Sequence, residues 1–365
     1  MTQLFEQRVQ RFIQSQSVDW FALIPGTNML YFTGLDYHLG KRPTLILFSA
    51  SRTLGLVPLL EASKTREALP HAHLITWTDT EGYAHAMREL MAAAGLDRGG
   101  VLGVDGYTMR VFEYLALNAA GLPAERIRDV GRDLLLFRAI KTQDEIDAMQ
   151  QAVRISEQAL DALLEWIRPG MTEKQIAQQL MEEQRKLGAS EVAFEPIVLA
   201  GARSALPHGN PGEHPLQEND ILLIDFGCKV NHYPSDITRT FLLGHVSSQI
   251  KAMYDAVYAA NAAARAVAAP GVSWGAVDKA ARDVIEAAGF GPYFTHRTGH
   301  GLGLDGHELP QIASGEDAIL EPGMVFTIEP GVYIPDVGGI RIEDDMVVTS
   351  DGVISLTSYP RERAL

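Results

Sequence analysis

Four carboxylates and one histidine occupy positions where charge is costly. Asp225 interrupts the apolar run Leu222-Leu223-Ile224-Asp225-Phe226, although aspartate is depleted in strands. Asp236 follows in Tyr233-Pro234-Ser235-Asp236-Ile237-Thr238-Arg239-Thr240. If the intervening segment is a hairpin, the two acids mirror each other about a turn between Val230 and Asn231. Opposed residues of an antiparallel ladder share a face, with Cβ atoms about 4.5–5.5 Å apart. Two bare carboxylates so placed repel, and a divalent cation between them turns the repulsion into attraction. Taken alone, the pair also reads as a turn carrying two solvated acids. A second pair makes that harder to sustain. Glu329, in Thr327-Ile328-Glu329-Pro330-Gly331, and Glu343, in Ile340-Arg341-Ile342-Glu343-Asp344, mirror each other about Asp336. His300 stands in Thr298-Gly299-His300-Gly301-Leu302-Gly303, read as a glycine-rich loop that lets backbone approach closely. No Lys-Ser/Thr follows it for a P-loop, and no strand and helix frame it as a dinucleotide fingerprint. With four acids converging, His300 reads as a ligand. His208, between Pro207 and Gly209, is a weaker signal by itself.

These residues need elements to hold them. Strand-like stretches at 221–227, 237–243, 324–329 and 339–349 carry the acids. Helical spacing of apolar and small residues runs through Ile146, Met149, Val153, Ser156, Leu160, Leu163 and Ile167, and Pro169-Gly170 stops it. Thr172-Glu173-Lys174-Gln175 is a capping-box pattern for a helix that Gly188 closes. An alanine-rich helix is expected over 250–269, and Ser273 can cap a last one running to Gly289. Helices in bulk with antiparallel-looking strands define an α+β domain. The first 130 residues instead alternate short apolar strands, such as Leu45–Phe48 and Val101–Val104, with helices such as Glu81–Ala94. They read as a smaller α/β domain. The expected division is 1–130 and 131–365.

Composition narrows the function. The chain has 365 residues and 46 Asp+Glu against 31 Lys+Arg, a formal charge of −15, which argues against binding a phosphate backbone. One cysteine, Cys228, excludes an intramolecular disulfide and any cysteine zinc cluster. No apolar run approaches the ~20 residues of a membrane helix. The first eight residues are polar and amphipathic without a signal-peptide core, so a cytoplasmic protein is expected.

Taken in order, five motifs resemble the Xaa-Pro peptidases of the M24 metallopeptidase family, the group of prolidase, aminopeptidase P and methionine aminopeptidase. They are the approach from Phe194 to Gly209, Asp225-Phe226-Gly227, Ser235 to Thr240, the His300 segment, and the Glu329 and Glu343 strands. The resemblance implies a pita-bread catalytic domain, and residues 1–130 are similar to the creatinase-type N-terminal domain. Creatinase lacks the metal ligands; this chain keeps all five positions. The resemblance implies two divalent cations, with Asp225 on one, His300 and Glu329 on the other, and Asp236 and Glu343 bridging. A mostly oxygen site with one imidazole suits Mn²⁺ first, with Co²⁺, Fe²⁺ or Zn²⁺ as alternatives. It further implies Glu329 as proton carrier and His208 and His307 as hydrogen-bond donors on the walls. Arg341, on the strand of a bridging glutamate, is a candidate anchor for a ligand carboxylate.

The expected substrates are peptides with proline in second place, whose scissile bond has no N–H for ordinary proteases to read. A dipeptidase must also bind a free carboxylate. His296, Arg297 and the loop Leu35–Arg42 with His38 are candidates, the loop reaching across a homodimer as in related prolidases. One departure bears on this: some prolidases carry an arginine four residues after the histidine matching His307, where this chain has Gln311. Xaa-Pro dipeptidase is the first expectation. Aminopeptidase P is the alternative, and an inactive peptide-binding module of the same fold is a third.

Overall fold

The computed structural model describes residues 2–362; Met1 of the amphipathic N-terminal stretch lies outside them. The chain divides into two compact units, Met1–Phe137 and Arg138–Leu365.

The first unit holds a six-stranded sheet in the order His73–Trp77, Thr53–Pro58, Leu45–Phe48, Trp20–Leu23, Leu102–Val104 and Ile127–Asp129. Three of its pairings are parallel and two antiparallel. The inner strands Trp20–Leu23, Leu45–Phe48 and Leu102–Val104 read as unbroken apolar runs because both faces are covered. Leu45, Leu47, Leu54, Leu56 and Leu102 pack with Met87, Leu90 and Met91 of the helix Ala84–Ala94. Phe12, Phe21 and Phe32 form an aromatic cluster with ring centroids 5.0 to 5.6 Å apart.

The second unit is α+β. Its helices are Gln143–Trp166, Glu173–Lys186, Ser248–Val267 and Trp274–Ala287. Thr172 caps the second through a capping box, and Ser273 accepts a hydrogen bond from the Ala276 N–H to cap the last. Ser247 starts the alanine-rich helix a little before the expected Ile250. Every strand pairing in this unit is antiparallel. One three-stranded sheet runs Ile237–Leu242, Ile221–Phe226, Ile197–Ala200. A five-stranded sheet runs Glu308–Ile312, Gly299–Gly301, Val325–Ile328, Asp344–Val348, Val353–Ser355. A two-stranded ribbon joins Gly331–Ile334 to Gly338–Arg341. Among the described residues no helix is long and apolar enough to cross a membrane.

Register is where sequence and structure part. Val230 pairs with Tyr233, so the turn is Asn231-His232, with φ of 50° and 72°. Two positive φ values make this the two-residue turn that matches strand twist. Asp225 therefore pairs with Thr238, and Asp236 lies just before its strand begins. The expected 225–236 opposition is off by two residues. An even shift leaves side chains on the same face, since the strand period is two, so the acids are diagonal neighbours. In the other hairpin Ile328 pairs with Asp344 and Gly331 with Arg341, a register that sets Glu329 against Glu343 across a turn at Asp336, φ 62°. The single strand expected over 339–349 is broken at Ile342-Glu343.

Candidate active site

The His300 segment is a strand and not the loop its glycines suggest. Gly299–Gly301 is enclosed by the Glu308–Ile312 and Val325–Ile328 strands. A Cβ on Gly299 would run into the Thr327 carbonyl oxygen, and one on Gly301 into that of Leu309. The glycines thus serve close packing of backbones on either side of the histidine.

Hydrogen bonds then lock the hairpins together around it. The N–H of Glu329 donates to the Thr298 carbonyl at 2.7 Å, and that of Glu343 to the Thr238 carbonyl at 3.1 Å. The N–H of Asp236 donates to Oδ2 of Asp345 at 2.9 Å. Asp236, His300 and Glu343 each offer a ligand atom within 4.8 Å of the others. His300 Nε2 is 3.2 Å from Oε1 of Glu329 and 3.7 Å from Oδ2 of Asp236. Its Nδ1 donates to the Gly301 carbonyl at 3.1 Å, which leaves Nε2 to the carboxylates. Asp225 is tied to the group by Arg341, whose Nη2 donates to Oδ2 at 2.5 Å. Its Oδ1 is buried without a hydrogen-bond partner, a costly state for a carboxylate oxygen.

The electrostatics agree with a cation-seeking cluster. Burial pushes the Asp236 carboxyl well up, and the charges of Glu343 and Asp225 push it further. Glu343 moves the same way, by burial and then by Glu329 and Asp225. Burial also raises Asp225, with Arg341 pulling against it. Glu329 is the exception. Burial would raise it, but His300, His296 and Arg341 bring it down to about 2. Like carboxylates crowded in a buried site keep protons unless a cation replaces them. The donor set, the orphaned Asp225 oxygen and these shifts fit divalent metal.

The cluster opens on a cavity of 830 Å³ whose walls include Phe194, His208, His296, Arg297, His307, Gln311 and Arg341 as well as the five central residues. His307 stacks edge-on against His300, centroids 4.2 Å apart, and burial with the nearby His300 and Arg297 lowers it to about 4. His296 was expected to offer positive charge, and its surroundings disfavour that charge. Burial lowers its pKa, Nδ1 donates to the Arg297 carbonyl at 2.7 Å, and Nε2 accepts from the Tyr333 hydroxyl at 2.9 Å. Arg297 has no carboxylate partner among the described residues and is the remaining cation on that wall. His38 is exposed, belongs to the first unit and is not among the wall residues.

Three supporting residues went unread in the sequence. Thr238 donates from Oγ1 to Oε2 of Glu343 at 2.6 Å and accepts from Nε of Arg341 at 3.1 Å. Tyr333 accepts from Nη1 of Arg341 at 2.8 Å. Asp345 holds the Asp236 backbone. The available signal was parity: Thr238 lies two residues beyond Asp236, and Tyr333 four beyond Glu329.

A mostly antiparallel sandwich flanked by two helix pairs, with a buried four-carboxylate, one-histidine cluster at its centre, defines a pita-bread metallohydrolase. Residues 147–350 match the metallopeptidase family M24 and residues 7–140 the creatinase/prolidase N-terminal domain, so the chain belongs to family M24 and is a peptidase. It is 34% identical to a putative dipeptidase of Bacillus subtilis over 336 residues, 92% of each chain. Among solved structures it is similar to the Xaa-Pro dipeptidase of Bacillus anthracis, at 31% identity and a TM-score of 0.88 over 100% of both chains. It is also similar to a prolidase of Thermococcus sibiricus, at 31% identity and a TM-score of 0.91 over 99% of this chain and 98% of the other.

Proposed function

We propose that this peptidase is an Xaa-Pro dipeptidase holding two divalent cations, Mn²⁺ first among them. The observation that carries the proposal is the convergence of Asp225, Asp236, His300, Glu329 and Glu343 on one cavity whose lining also includes Arg297, which has no carboxylate partner among the described residues. Asp225 would hold one cation, His300 and Glu329 the other, and Asp236 and Glu343 both. The likeness to the Xaa-Pro dipeptidase and prolidase supports the substrate class. When bound, the cations supply Lewis acidity, polarising the scissile carbonyl and acidifying water.

The chain's own residues do the rest. Glu329 stays ionised across the neutral range, and its Oε1 is engaged by Thr327 and His300. Oε2 is therefore the atom to take a proton from water and return it to the proline nitrogen, a secondary amine that must leave protonated. His307 is neutral and, with His208, donates hydrogen bonds to the carbonyl oxygen as charge develops on it. Arg341 restrains Asp225 and so fixes the donor geometry. Arg297 would pair with the free carboxylate of a C-terminal proline.

One observation favours aminopeptidase P as the second reading: the neutral Gln311 lines the cavity where an arginine would strengthen carboxylate binding. Hydrolysis of Ala-Pro and Met-Pro, compared with an Xaa-Pro-Yaa-Yaa peptide in Mn²⁺, separates the two. A dipeptidase shows the higher kcat/KM on the dipeptides, loses it on chelation, and loses dipeptide KM selectively in Arg297→Met. Preference for the longer peptide overturns the proposal. A homodimer belongs to the same reading and is checked by light scattering.

A further inference from the structure

Behind His307 lies a buried ion cluster that the proposed chemistry does not use. Glu308 follows His307 in the chain and is 5% exposed; Arg138 and Lys141 are 3% and 6% exposed. Lys141 Nζ donates to Oε2 of Glu308 at 3.1 Å, and Arg138 Nη2 donates to Oε1. The same Nη2 reaches Oδ2 of Asp305 at 2.7 Å. Within the turn, the Asp305 N–H donates to Oε1 of Glu308 at 3.1 Å, and the Gly303 N–H to the Asp305 carbonyl. The Glu308 carboxylate fills the space that a Cβ on Gly303 would take. One carboxylate thus binds the whole Gly303–Glu308 turn to the segment 138–141.

We infer that Glu308, gripped by Lys141 and Arg138, is a positioning residue that sets the His307 ring over the catalytic cavity. His307 keeps part of its ring in solvent at the cavity wall, and its one ring contact among the described residues is the edge contact with His300. A partly exposed histidine on a six-residue turn needs an anchor, and a buried carboxylate gripped by two cations supplies one that water cannot loosen. Glu308 balances one of the two buried cations, and the half-exposed Asp305 balances the other through Arg138, so the cluster needs no counter-ion from the site. Among the described residues, the side-chain hydrogen bonds and ion pairs of Glu308 and Lys141 go to Arg138, Asp305 and each other and not to the five central residues, so the effect of Glu308 on metal binding can be measured separately. The inference rests on His307 acting in catalysis as proposed above.

The experiment is a mutant cycle on Mn²⁺-loaded full-length protein with Ala-Pro as substrate. Glu308→Gln keeps the shape and removes the charge. The expected result is a fall in kcat of about tenfold to a hundredfold with little change in KM, as for a catalytic group displaced by about 1 Å. Mn²⁺ binding to the apoprotein, followed by calorimetry, stays at the wild-type value. In an His307→Ala background the same substitution costs nothing further, because its effect runs through the ring. Lys141→Met with Glu308→Gln removes one buried charge of each sign and leaves Arg138 paired with Asp305. This pair is expected to recover the melting temperature while kcat stays low, which a merely structural role would not give. The inference is overturned if Glu308→Gln leaves kcat unchanged, lowers it equally without His307, or lowers Mn²⁺ affinity in step. If His307→Ala alone leaves kcat unchanged, the role proposed for His307 fails instead.

Discussion

Asp236→Asn tests the metal site through stability, with no substrate involved. In the chelated protein Asp236 and Glu343 offer oxygens no more than 4.8 Å apart. Two full charges at that separation repel by about 3.5 kcal/mol at an effective dielectric constant of about 20. Both carboxyls escape this by holding protons, as their raised pKa values indicate. A folded-state pKa above the unfolded one gives stability that is complete below the ordinary carboxylate range and lost as pH rises through the raised values. The chelated protein should therefore melt lower at about pH 8 than at about pH 6. Free Mn²⁺ at about 100 times its dissociation constant adds about 2.7 kcal/mol for one site. For a unit the size of Arg138–Leu365 that is about 5–10 °C, and the gain should grow with pH. Asparagine removes one of the opposed charges without changing volume. The variant should melt higher than wild type after chelation at the higher pH, and its gain from Mn²⁺ should shrink. Differential scanning calorimetry of both proteins, with chelator and with Mn²⁺, reads all four states. A variant that melts lower when chelated, yet keeps the full Mn²⁺ gain, would refute the assignment of Asp236 as a ligand.

Other outcomes test the scaffold. Arg341→Lys loses the fork joining Asp225, Tyr333 and Thr238 and is expected to weaken Mn²⁺ binding about tenfold to a hundredfold; an unchanged calorimetric isotherm would count against it. Gly301→Ala drives a methyl into the Leu309 carbonyl and should cost about 3 kcal/mol, read as a melting temperature about 5–10 °C lower; an unchanged melting temperature rejects the packing argument. Burial opposes ionisation of Asp344, but Arg239 at 2.8 Å and Arg361 at 2.7 Å outweigh it and hold its pKa below the ordinary value. Its contribution is present above the ordinary carboxylate range and lost as pH falls through the depressed value. Asp344→Asn should cost about 3 kcal/mol near neutrality, with the gap in urea midpoints closing on acidification; a gap constant with pH refutes it.

Much of the site was legible because it is local. An acid inside an apolar strand, a mirrored second acid and a histidine between glycines are all facts of order along the chain. The residue types alone fixed the chemistry they can do, oxygen-rich ligation of a divalent cation. Strand parity kept Asp225 and Asp236 on one face even though the turn fell at Asn231-His232 and shifted their register by two. Helix starts at Thr172 and Ser273 were likewise written in the capping residues.

What only the tertiary structure decided is which groups stay free. His296 and Arg297 look alike in sequence as basic neighbours. Folding spends both nitrogens of His296 on Arg297 and Tyr333 and disfavours its charge by burial, while Arg297 is left without a carboxylate partner among the described residues. The glycines around His300 suggested an open loop, yet the strands on either side need them for close backbone approach. Glu308 gave no sign of its place, because Lys141 and Arg138 come from far earlier in the chain. Hydrogen-bond partnership and desolvation depend on distance in space, and sequence order alone does not carry that distance.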